Sequence, residues 1–131
     1  MTIELVLPMP PPELHPNSRV SWQAKSRARD GTKRKPGYRY EVMIETLHQL
    51  TVDIKPLPLP VTAYLTFVYK VDRKRDDDNN IAWCKSLFDG LVDAKILVAD
   101  DSKSLHHGPV TVLVDKTLKA PEVRVRLEGA V

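Results

Sequence analysis

The chain has 131 residues, of which 42% are hydrophobic and 28% charged, and its 20 Lys and Arg against 17 Asp and Glu leave a net charge of +3. That is room for one domain with a modest core, and the composition excludes a wholly disordered chain. A single cysteine, Cys84, excludes an intrachain disulfide. No apolar run approaches the roughly 18 residues of a membrane span and no signal-peptide pattern opens the sequence, so a cytoplasmic protein without a membrane partner is expected.

Ile3, Leu5 and Leu7 alternate with Glu4 and Val6, which predicts a strand that stops at Pro8. Pro10, Pro11 and Pro12 forbid regular pairing beyond it. From about residue 14 to 37 no clean periodicity appears, and an exposed, mobile basic loop is predicted, with a short helical turn near Trp22–Arg29. Its basic residues are Arg19, Lys25, Arg27, Arg29, Lys33, Arg34 and Lys35, with Asp30 the one acid. Such a block tracks a polyanion or is a solvated surface. Trp22 among these cations either stacks on a base or anchors the loop.

Tyr38 to Leu50 predicts a helix, and Pro56, Pro58 and Pro60 a stiff connector. Val61 to Lys70, rich in β-branched and aromatic residues, is the clearest strand. It runs into Arg73, Lys74, Arg75, Asp76, Asp77 and Asp78. A helix is predicted from about Asp78 to Ala94, with Ile81, Cys84, Leu87, Phe88 and Leu91 as its apolar stripe and Trp83 packing at the edge. Val110–Val114 and Val123–Leu127 predict two more strands. The expected fold class is α/β (α+β): a small mixed sheet of about four strands with two main helices packed on one face.

At about 100° per residue, Asp78, Lys85 and Asp89 fall on one stripe of the predicted helix. Three consecutive carboxylates at a strand-to-helix junction repel one another, and neighbouring Arg and Lys or a cation must offset this. Asp100 and Asp101 add a second carboxylate pair after the helix. A hard ion such as Mg²⁺ takes oxygen ligands and keeps several waters, so two or three carboxylates suffice. Phosphodiester hydrolysis uses such a grouping, and a nearby Lys adds charge stabilisation. An EF-hand loop is excluded, because its sixth position holds Ile81 rather than Gly and its twelfth Leu87 rather than Glu. His106 and His107 fit a surface better than a metal site, and Cys84 lies on the buried stripe as an inert side chain.

These residues together resemble the RusA-type endodeoxyribonucleases, the Holliday-junction resolvases (crossover junction endodeoxyribonucleases) common in phages and prophages. The resemblance rests on Leu7-Pro-Met-Pro-Pro-Pro with His15, Asn17, Arg19 and Trp22 behind it. It continues through Asp76-Asp77-Asp78-Asn79, then Lys85 and Phe88-Asp89-Gly-Leu91, and ends on Asp100-Asp101. The resemblance implies that Asp76, Asp78 and Asp101 bind Mg²⁺, with Mn²⁺ as a substitute, that Lys85 is the catalytic lysine, and that Asp89 assists. It also implies a homodimer that nicks opposed strands of a four-way DNA junction in recombination and repair, leaving 5′-phosphate ends, with Arg19 to Lys35 and Arg73, Lys74 and Arg75 on DNA phosphates. Lys85 departs from the family's best-known spacing by about one helical turn. The alternative expectation is a branched-DNA-binding protein of phage or prophage origin without nuclease activity.

Overall fold

The computed structural model describes residues 1–50, 55–72 and 80–130. In chain order these form strand β1 (Thr2–Pro8), a 3-10 turn (Pro12–Leu14), helices α1 (Trp22–Asp30) and α2 (Tyr38–Gln49), and strand β2 (Val61–Tyr69). Helices α3 (Asn80–Trp83) and α4 (Lys85–Asp93) follow, then strands β3 (Leu105–His107), β4 (Thr111–Val114) and β5 (Glu122–Glu128).

The strands make one mixed sheet. β5 lies between β1 and β2 and is antiparallel to both, while β3 and β4 run one after the other along the far side of β2, parallel to it. The fold class is therefore the small α+β arrangement expected, with five strands rather than about four. Alternation along each strand sets the two faces. Leu5, Val125 and Leu65 form one cross-strand row and Leu7, Val123 and Phe67 the next, all buried. Tyr38 and Val42 of α2 and Leu87, Phe88 and Leu91 of α4 join them in one hydrophobic cluster. The opposite face carries the row Glu4, Arg126 and Tyr64, with the Arg126 guanidinium 4.4 Å from the Tyr64 ring centre.

The free side of β1 is closed by α2. Gln49 accepts from the Val6 N–H at 2.8 Å and donates to the Val6 carbonyl at 2.6 Å, and the Tyr38 hydroxyl donates to the Pro8 carbonyl at 2.6 Å. A side-chain amide thus stands in for a neighbouring strand, a recognised way of blunting a sheet edge. The Pro-rich exit from β1 is pinned too: Trp83 Nε1 donates to the Pro11 carbonyl at 2.9 Å while its ring stacks on Phe67, centroids 6.0 Å apart. His15 leans on the same indole at 5.4 Å.

Three expectations need correction. The stretch 14–37 is not an irregular loop: it holds the nine-residue helix α1 and a tight turn. Ser21 caps the helix by accepting from the Ala24 N–H at 3.2 Å, and Gly31 ends it at φ +87°, a conformation that favours glycine. The helix predicted over 78–94 is, over its described residues, two pieces that meet at Cys84, whose ψ of 13° interrupts the spiral. Ile81 lies outside the core although Cys84, Leu87, Phe88 and Leu91 are buried. Among the described residues no helix is long and apolar enough to cross a membrane.

Candidate functional site

Helix α4 turns one face to the sheet and the other outward, and the outward face carries Lys85 and Asp89 one turn apart. Lys85 Nζ donates to Asp89 Oδ1 at 3.2 Å and to Asp100 Oδ2 in a shorter contact. Asp100 arrives from the loop between α4 and β3. The lysine side chain is 66% exposed, against 21% for Asp89 and 24% for Asp100. Two sheltered carboxylates therefore converge under one accessible ammonium.

The Asp100–Asp101 pair divides its labour. Asp101 Oδ1 accepts from the backbone N–H groups of Lys103 and Ser104 at 2.9 and 3.0 Å, and its Oδ2 accepts from the Ser104 hydroxyl at 3.2 Å. These bonds hold the turn that launches β3. The resemblance put the site's acid at Asp101; the geometry brings Asp100 to Lys85 and Asp89 instead. Asp76 and Asp78, with Asp77 and Asn79, lie outside the described residues, as do Arg73, Lys74 and Arg75.

The ion contacts set the charge states. Hydrogen bonding to Lys85 holds the Asp100 carboxyl below its ordinary range, and the same bond to Asp100 raises the Lys85 ammonium. The backbone N–H groups of Lys103 and Ser104 hold Asp101 low as well. Asp100 therefore contributes stability above the unfolded carboxylate pKa of about 3.9, lost as pH falls through its depressed folded value. Lys85 contributes stability below its unfolded pKa of about 10.4, lost as pH rises through its elevated value. The pair is open to solvent, so its contribution is small, about 0.2–1 kcal/mol. Urea melts of wild type and Lys85→Met should differ by a constant amount from roughly pH 5 to 9 and converge below it. A difference that changes through neutral pH would contradict the pairing.

Of the basic residues outside α4, Arg39 is the one bonded to that helix among the described residues. Arg39 makes a two-pronged ion pair with Asp93 of α4, Nε to Oδ2 at 2.6 Å and Nη2 to Oδ1 at 2.8 Å. Arg29, at the end of α1, pairs with Asp30 at 2.8 Å. Lys33, Arg34 and Lys35 ride a tight turn closed by a Gly31–Pro36 bridge and by Thr32 Oγ1, which accepts from the Arg34 and Lys35 N–H groups. Arg19 is exposed just before α1, and Trp22, Lys25 and Arg27 project from it.

His106 and His107 sit in β3, the His107 ring edge-on to Phe88 at 5.2 Å. Cys84 is buried, and burial pushes its thiol well above the ordinary range, so it has no nucleophilic role. Among the described residues no three His, Cys, Asp or Glu side chains gather as a metal site. Asp89 and Asp100 still form a two-oxygen donor set that suits a hard divalent cation retaining several waters.

No family model matches the chain. An uncharacterized protein of Xylella fastidiosa is 30% identical over 125 residues, an alignment covering 95% of this chain and 75% of that protein.

Proposed function

For a chain that belongs to one family with the Xylella fastidiosa protein, we propose a metal-dependent, structure-specific endonuclease of the RusA type that acts as a homodimer on four-way DNA junctions. The observation that carries this reading is Lys85 bridging Asp89 and Asp100. Asp89 and Asp100 would hold Mg²⁺ together with Asp76 and Asp78 of the connecting segment. When bound, the ion would neutralise charge on a phosphate and ease deprotonation of water.

The protein's own groups supply the rest. Lys85 stays protonated through neutral pH and is accessible, so its ammonium can turn from the carboxylates to a phosphate oxygen as charge builds there. Asp89 and Asp100 keep that ammonium in place before substrate arrives. Arg19, Lys25, Arg27 and the Lys33–Lys35 turn hold neighbouring phosphates, which makes binding steeply salt-dependent.

Purified protein with Mg²⁺ should nick a synthetic four-way junction at paired positions and leave a linear duplex intact. Junction binding without cleavage under any divalent ion would support the non-catalytic alternative, and absence of junction binding at low salt would reject both.

A further inference from the structure

We infer that α1 is a single-strand guide, on which the exposed Trp22 indole stacks against an unpaired base of a strand led toward Lys85, Asp89 and Asp100. This deepens the branched-DNA reading and rests on it. The first observation is that α1 buries none of its residues. It rests on α2 and the 3-10 turn without adding to the core, so its sequence is free to serve what lies outside it.

The second observation is Trp22 itself. A tryptophan 73% exposed on a helix with so polar a surface is costly to leave in water. Among the described residues no ring or cation covers it, whereas Trp83 is stacked and hydrogen-bonded.

The third is placement. Trp22, Lys25 and Arg29 fall within about 60° of one another around the axis, a single stripe. The Arg29 end of that stripe opens on a recess of about 260 Å³ lined by the Arg29–Asp30 and Arg39–Asp93 ion pairs. Asp93 is one turn along α4 from Asp89. The stripe thus leads from an aromatic platform, past cations, to the acidic site.

Arg19, Lys25 and Arg27, which have no acidic partner among the described residues, favour a polyanion. The aromatic selects one whose bases are open, since paired bases hide their π-faces in the stack and an unpaired base offers one. Trp22 stands about 10 Å along the axis from Arg29. The partner is therefore an unstacked or single-stranded segment whose base lies on Trp22 and whose backbone passes Lys25.

The test uses the full chain, an oligothymidylate and a blunt duplex of equal length, titrated over a range of salt. The oligothymidylate should quench the emission component that Trp22→Ala removes. Trp22→Ala should weaken single-strand binding by about tenfold or more without changing the salt slope, and Trp22→Phe should restore most of it. Lys25→Ala should instead lower the slope by about 0.7. A duplex that binds as tightly as the oligothymidylate, or a Trp22→Ala effect under twofold, overturns the guide. Junction cleavage with no Trp22 effect sinks this inference alone. Stacking without cleavage sinks the nuclease reading and leaves the guide standing.

Discussion

Asp100→Asn is expected to lower junction cleavage on the order of a hundredfold or more, with junction affinity at low salt within a few-fold of wild type, while Asp101→Asn stays within a few-fold in both. The two residues are adjacent and chemically identical, so the contrast isolates geometry. Asp100 meets Lys85, and Asn there removes one of two converging charges while Asp89 still holds the ammonium. Asp101 is committed to the Lys103 and Ser104 N–H groups. Asn keeps the oxygen that accepts them, so the turn survives. Asp101→Ala loses that acceptor and should lower stability, read in a urea melt, without a specific loss of cleavage. The reverse result, an active Asp100→Asn and an inactive Asp101→Asn, would return the role to Asp101 as the resemblance implied.

Residues whose folding buries one face left a period that could be read directly. β1, β2 and β5 alternate because one side meets the helices, and α4 shows its stripe because Leu87, Phe88 and Leu91 enter the same cluster. Helix α1 left no such trace, because none of its residues is fully buried. Its markers are Ser21, whose hydroxyl caps the first turn, and Gly31, which ends the last, and both were readable as single residues. β3 was not legible: it has three residues, only Leu105 of them buried, and is a strand because β2 lies beside it. The interruption at Cys84 carries neither Gly nor Pro to announce it. In the site, the Lys85–Asp89 pair was plain from spacing. Which of Asp100 and Asp101 faces it was not, although Asp101-Ser102-Lys103-Ser104 is a turn-forming pattern that hinted Asp101 would be occupied.

Gly90→Ala is expected to destabilise the protein by about 1–3 kcal/mol, although alanine is the better helix former by about 1 kcal/mol. The two effects oppose, and the surroundings decide. A Cβ at Gly90 would lie 2.7 Å from the Arg39 carbonyl oxygen and 2.8 Å from both Cβ and Cγ1 of Val42. Neither is the loose end of a flexible side chain: one is helix backbone, and Val42 is fully buried. Relief requires α4 to move away from α2, which opens space beside Leu87 and Leu91 and stretches the Arg39–Asp93 pair. The melting temperature should fall by roughly 4 °C per kcal/mol for a chain of this size. Lys85 and Asp89 ride on the displaced helix, so cleavage should drop at temperatures where the variant is still folded. Adding Val42→Ala removes part of the obstruction, so the double variant should lose less than the sum of the two single changes. A Gly90→Ala protein that melts at or above the wild-type temperature would mean that the helices separate without cost, and the close approach of α2 and α4 would no longer explain how the acidic site is held.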